Sequence, residues 1–121
     1  MKIQAYAAKR PHDKLEYFDY DVGNVKPDEI EIDIEYCGIF HSDLSMINND
    51  WGLTEYPIVP GHEIIGKVSE IGSMVEHLKV GQYVGIGWRA RSCLVCDQCL
   101  SGHHNRCLRG EDVIVGRHGG Y

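Results

Sequence analysis

Basic residues are the minority charge in this 121-residue chain: 12 Lys and Arg stand against 18 Asp and Glu, a formal net charge of -6. That sign argues against nucleic acid or an anionic membrane as the main partner. Long apolar runs are missing too. The opening MKIQAYAAKR has no apolar core of the kind a secretory signal needs, and no later stretch is long enough to span a bilayer. The resulting expectation is a soluble, cytoplasmic protein. Internal repeats and low-complexity tracts are also missing. So is a nucleotide-binding βαβ unit: Gly85-Ile86-Gly87 lacks the third glycine and the following helix of a dinucleotide fingerprint. The length suits one domain with its own core, and abundant glycine suggests many tight turns.

What is present reads as mainly β. IQAYAA and LEYFDYDV are candidate strands separated by RPHDK. The clearest pattern is EIEIDIEY, residues 29–36, where Ile30, Ile32, Ile34 and Tyr36 alternate with Glu29, Glu31, Asp33 and Glu35. Such alternation puts an apolar face inward and leaves the acidic face solvated. HSDLSMIN then suggests a short helix. HEIIGKVSEIG is strand-like again, with Gly66 marking a bulge or bend, and KVGQYVGIGW is a further strand opened by a turn at Gly81. The architecture that fits is a partly open β-barrel with short helices and a loop-rich lobe at about 89–110.

That lobe has almost no apolar periodicity, so its order needs another source. CLVCDQCLSGHHNRC places Cys93, Cys96, Cys99 and Cys107 in the spacing C-x2-C-x2-C-x7-C. Four thiolates suit tetrahedral zinc, and a shell filled entirely by protein is structural rather than catalytic. Zinc binding would then order the lobe. An iron–sulfur cluster is the main alternative, but its run closes with C-x3-C-P, whereas here the fourth cysteine comes later and Leu108 follows it. Disulfides are disfavoured by the inferred compartment and the two-residue gaps. His103 and His104 lie inside the lobe and read as exposed loop residues, because four cysteines already fill the shell.

Two further segments carry chemistry. CGIFHSDL, residues 37–44, packs a thiol, an imidazole, a hydroxyl and a carboxylate around Phe40. PIVPGHEIIG sets His62 and Glu63 after a Pro-Gly turn, at the mouth of a strand. An isolated His-Glu pair is more often plain surface than a ligand pair.

The ordered set is far more specific. Cys-Gly-Ile-x-His-Ser-Asp, Pro-x-x-Pro-Gly-His-Glu, Val-Gly-x-x-Val-Gly-x-Gly and the four-cysteine lobe follow one another over nearly the whole chain. The chain thereby resembles the N-terminal, GroES-like catalytic domain of zinc-dependent medium-chain alcohol dehydrogenases. HSDLSMI with NNDWG, and GIGWRARSC, make it most similar to the cinnamyl-alcohol-dehydrogenase-like branch, which includes bacterial NADPH-dependent aldehyde reductases.

The resemblance implies that Cys93, Cys96, Cys99 and Cys107 hold a structural zinc. It implies that His62 binds a catalytic zinc, with Glu63 as an alternate ligand and Asp43 fixing the imidazole from behind. Ser42 would move the alcohol proton, while Ser45 stands where many relatives end that relay with a histidine. His41 would lie against the pyrophosphate of NADP(H). Trp51 and Trp88 would line the pocket of a small alcohol or aldehyde substrate, with core packing as the alternative.

Phe40 departs from the family, whose residue at this place is a cysteine ligand of the catalytic zinc. A phenyl ring has no lone pair to donate, so catalytic zinc should bind weakly here. Cys37, three residues earlier, reads as a packed apolar side chain.

By family standards residues 1–121 form an incomplete GroES-like domain without its Rossmann partner. The isolated chain is expected to show no turnover, and the longer parent is expected to form a homodimer. The alternative is a non-catalytic, zinc-ordered module that has lost its ligand at position 40.

Overall fold

A computed structural model describes all of residues 1–121. Seven strands form three small antiparallel sheets that stay open and never close into one barrel. Strands β1 (Lys2–Ala7) and β2 (Glu16–Asp21) make a hairpin, with Lys2 opposite Asp21 and Ala7 opposite Glu16. Ala5 and Ala7 point inward while Tyr6 between them stays exposed and meets Tyr17 edge-on, as the two-residue period requires.

The central sheet orders β3 (Ile30–Gly38), β4 (Glu63–Ile71) and β5 (Tyr83–Ile86) side by side. In β4 the alternation is clean: Ile64, Gly66 and Val68 are buried, and Glu63, Ile65 and Lys67 are exposed. Gly66 is needed there, because a Cβ at this position would run into the Asp33 carbonyl and the Ile32 side chain.

β3 departs from its sequence pattern. Register shifts fall between Glu31 and Ile32 and between Ile34 and Tyr36, so the strand twists partway along. Tyr36 consequently falls opposite exposed Ile65 and is 71% exposed, whereas Ile34 stays opposite buried Gly66 and is 48% exposed because it lines an open cavity with Ile32 and Ile64. The acidic face is not uniformly solvated either. Glu31 accepts a hydrogen bond from Ser69, and Glu29 is gripped by Arg91 and Arg117 at 3.1 and 2.9 Å.

Helix α1 (His41–Ile47) follows β3 after only two residues, Ile39 and the extended Phe40. Asp43, at its third position, returns a carboxylate oxygen to the Phe40 N–H at 3.0 Å, which satisfies one free donor of the first turn. At the other end, the Thr54 and Tyr56 hydroxyls donate to the Met46 and Ile47 carbonyls. Met46 is fully buried and packs with Ala8, Ile47, Ile58, Ile64, Val113 and Ile114 into the main core. A smaller cluster of Ala5, Ala7 and Val59 lies under β1, flanked by Phe18, Tyr20 and Tyr121.

The lobe leaves this body through β6 (Arg89–Arg91) and returns through β7 (Glu111–Asp112), two short strands paired at its base. Between them lie one turn of helix, α2 (Asp97–Leu100), and a 3-10 turn at His104–Arg106. Cys99 and Cys107 are its only buried residues. Leu94, Val95, Leu100 and Leu108 all point outward, so no apolar core holds this segment.

Candidate functional site

The four lobe sulfurs lie within 4.8 Å of one another. Zinc–sulfur bonds of about 2.3 Å at tetrahedral angles place ligand sulfurs about 3.8 Å apart, and the Sγ atoms of Cys93 and Cys99 stand 3.9 Å apart. That separation is far too long for a disulfide, whose sulfurs sit about 2.05 Å apart. The backbone prepares the site as well. Cys93, Cys96 and Cys99 each aim their N–H at the sulfur of another cysteine, at 3.3 to 3.5 Å, and the Arg109 guanidinium donates to Cys93 Sγ at 3.4 Å.

These donors split the thiols chemically. The Val95 N–H, above all, holds the Cys93 thiol down to about 6, while burial pushes Cys99 up to about 11. The Cys93 N–H likewise lowers Cys107. Cys93 and Cys107 therefore give up a proton more readily than Cys99, whose proton a metal would have to displace. His103 and His104 are exposed on the lobe and outside the sulfur cluster.

The second constellation sits where α1 meets the Gly61 turn. Asp43 is 2% exposed, and both its oxygens are fully engaged. Oδ1 accepts from the Gly61 N–H at 2.9 Å and from His62 Nδ1 at 3.2 Å. Oδ2 accepts from the Phe40 N–H at 3.0 Å and from the Tyr121 hydroxyl at 3.1 Å. A carboxylate only accepts, so Nδ1 of a neutral His62 carries the ring proton and Nε2 presents its lone pair. Ser42 Oγ stands 3.4 Å from that Nε2.

Gly61 is indispensable to this turn. Its φ is +100°, and a Cβ would strike Cys37 Sγ and the Tyr121 ring.

Aromatic rings box the imidazole. Phe40 meets it edge-to-face at 5.6 Å between centroids, Trp88 at 5.1 Å, and Trp51 meets Trp88 at 6.3 Å. Trp88 also packs against the main core. Trp51 is 51% exposed and so is not core. His41 and Glu63 are exposed, at the starts of α1 and β4. Ser45 is buried, facing inward beside Met46. Cys37 is half-buried, its thiol pushed up chiefly by burial.

The fold thus brings Ser42, Asp43, His62, Trp88 and Phe40 together. It does not assemble a second cage of metal donors: the four lobe cysteines are the only group of three or more His, Cys, Asp or Glu side chains so placed.

Sequence reasoning passed over Tyr121. Residues 119–121 run beside 59–61, with backbone hydrogen bonds from Gly119, Gly120 and Tyr121 to Val59, Gly61 and Pro60. A Cβ on Gly119 would collide with the Gly61 and Pro60 carbonyls. The readable signal was the glycine pair before an aromatic residue, which allows two backbones to touch.

Comparison with known proteins places this geometry. Residues 26–121 match the family described as the alcohol dehydrogenase GroES-like domain. The aldehyde reductase AdhA of Synechocystis sp. is 51% identical over 98% of this chain, and cinnamyl alcohol dehydrogenase 2 of Rauvolfia serpentina is 46% identical over 88%. The chain spans only 35% and 30% of those two relatives.

Among solved structures, the CAD from Helicobacter pylori complexed with NADP(H) superposes on all of this chain with a TM-score of 0.93 at 30% identity, and the chain covers 38% of it. A cinnamyl alcohol dehydrogenase from Sorghum bicolor gives 0.88 at 34% identity, over 93% of this chain and 32% of its own. No helix here is long and apolar enough to cross a membrane. On the matched residues and the shared fold, the chain belongs to the alcohol dehydrogenase GroES-like domain family.

Proposed function

We propose that residues 1–121 are the GroES-like catalytic-domain portion of a zinc-dependent alcohol dehydrogenase or aldehyde reductase. The longer parent would pass hydride between NADP(H) and a small alcohol or aldehyde, in the cytoplasm and as a homodimer. The observation that carries this reading is the superposition of the whole chain on 38% of an NADP(H)-bound CAD. All three sheets of this chain are antiparallel, whereas dinucleotide folds use a parallel sheet. The Rossmann half would therefore lie elsewhere in the parent, and His41 would reach the cofactor pyrophosphate from the exposed start of α1.

Cys93, Cys96, Cys99 and Cys107 would hold a structural zinc, and their sulfur geometry fits one. Bound zinc would supply folding free energy to a lobe without a core. A catalytic zinc does not fit this chain's own residues: His62 Nε2 and Glu63 offer two donors, and Phe40 puts a ring where the resemblance implies a thiolate. The chain's own chemistry is proton handling. Asp43 holds the His62 ring through Nδ1–H. Ser42, 3.4 Å from Nε2, can take the proton of a substrate alcohol while passing its own to the Nε2 lone pair, and the same path run backwards returns the proton to an aldehyde oxygen. Trp51 and Trp88 form an apolar wall against which a hydrophobic aldehyde would lie.

The rival reading is a zinc-ordered module without catalysis, and it is favoured by the Phe40 ring beside His62. Grafting residues 1–121 into the 51% identical aldehyde reductase, in place of its own first third, separates the two. The Phe40→Cys graft is expected to reduce aldehydes with NADPH, and the Phe40 graft to do so far more slowly with less bound metal. A folded Phe40→Cys graft that stays inactive would overturn the enzymatic reading. Equal activity and metal content in the two grafts would overturn the lost-ligand argument.

A further inference from the structure

We infer that Tyr121 is a positioning residue for His62: its hydroxyl occupies the outer oxygen of Asp43 and so keeps the inner oxygen committed to the imidazole Nδ1–H. The inference rests on the reading of His62 as the functional imidazole, and it concerns a residue to which that reading assigns no role.

The argument starts from the carboxylate. Asp43 is buried and surrounded by four donors, two on each oxygen. Three of them, the N–H groups of Phe40 and Gly61 and the His62 ring, lie on the two segments the carboxylate joins. Tyr121 belongs to a third segment, brought in only because residues 119–121 run alongside 59–61. Its single hydroxyl proton has two acceptors in reach, Asp43 Oδ2 at 3.1 Å and the Gly38 carbonyl at 3.2 Å. An ionised carboxylate is the stronger acceptor, so the proton goes to Asp43.

Without it, Oδ2 keeps one partner instead of two. The side chain then has reason to turn and bring Oδ1 toward the donors left to Oδ2, and His62 loses its fixed acceptor. The ring geometry responds sensitively. A carboxylate on Nδ1 selects the tautomer with a lone pair on Nε2, the atom that faces Ser42. A looser carboxylate lets the Nε2–H tautomer compete, and that form offers Ser42 a donor where it needs an acceptor. Tyr121 would thus reach the site through Asp43 without touching anything that reacts.

Long-range proton–nitrogen NMR of the zinc-loaded 121-residue chain, above the titration of its histidines, reads the tautomer directly. Wild type is expected to show His62 Nδ1 as the protonated nitrogen and Nε2 as the bare one. Tyr121→Phe keeps the ring and its packing, and should pull the two nitrogen resonances toward each other as the tautomers mix. Asp43→Asn sets the outer limit of that shift. A Tyr121→Phe spectrum that is folded and has unmoved His62 nitrogens would overturn the inference.

If Tyr121→Phe fails to fold, the wild-type hydroxyl decides. A slowly exchanging Tyr121 proton resonance supports the bond to Asp43, and a freely exchanging one overturns it. The proposed function is scored separately by the Phe40→Cys graft, so a folded but inactive graft would sink that reading and leave the tautomer result standing.

Discussion

The lobe and the Asp43–His62 site solve opposite problems. In the lobe four sulfurs converge closely enough to hold an ion and almost nothing else does, while the neighbouring leucines and Val95 face solvent. At Asp43–His62 the scaffold is complete, with four donors on one buried carboxylate, but position 40 offers a ring where the family resemblance implies a ligand. Order in one place would come from an ion, and in the other it comes from hydrogen bonds and packing. A site without a core can exist only loaded; a site with a core can lose a ligand and keep its shape.

The largest test of that contrast is Cys99→Ser. Structural zinc contributes about 10–16 kcal/mol of apparent binding free energy, so losing one ligand should drop bound zinc from one equivalent toward none and open residues 93–107 to protease. The body should keep its strand signal by circular dichroism. A lobe that stays protease-resistant without zinc would erase the distinction. The wild-type lobe should also bind zinc more tightly as pH rises, measured by chelator competition. Cys99, pushed up to about 11, still holds a proton at neutrality that the metal must displace; the sign is loss of affinity on acidification.

Next in size is Met46→Ala. Met46 is fully buried in the main core, and truncating such a side chain costs about 2–5 kcal/mol. Urea unfolding should show the full loss in the body, with zinc content unchanged at low denaturant. If zinc falls in step with stability, the two regions are one cooperative unit.

Phe40→Cys probes the contrast from the other side. Adding a thiol beside a scaffold already in place should raise bound zinc above one equivalent in the isolated chain, with the second ion held more weakly than the first. Unchanged stoichiometry would mean that the scaffold is not poised for a metal.

The smallest effect is expected for Arg91→Ala. Arg91 pairs with Asp28 and Glu29 across the lobe base, but its side chain is 37% exposed. Exposed pairs of this kind are worth less than about 1 kcal/mol, so the denaturation midpoint should barely move.

Much of the fold could be read in advance where one interaction dominates. β4 alternates in burial as HEIIGKVSEIG suggested, and the helix starts at His41, where the period of the sequence changes. The four-cysteine spacing converged as expected, because two-residue gaps leave neighbouring thiols few other ways to sit. β3 escaped the reading: Ile34 and Tyr36 look like core residues but end up exposed, Tyr36 because a register shift turns it to the outer face and Ile34 because it lines an open cavity. Trp51 and Trp88 could not be told apart by type, yet one is exposed and the other half belongs to the core.

The sequence by itself determined the lobe's four-cysteine cluster, the strand-rich character and the ring at position 40, because each depends on residue identity and short spacing alone. Tertiary structure decided that Asp43, Gly61, His62 and Tyr121 meet around one carboxylate. Those residues lie up to 78 positions apart, and only backbone pairing of residues 119–121 with 59–61 carries a distant hydroxyl to a charge that water cannot reach.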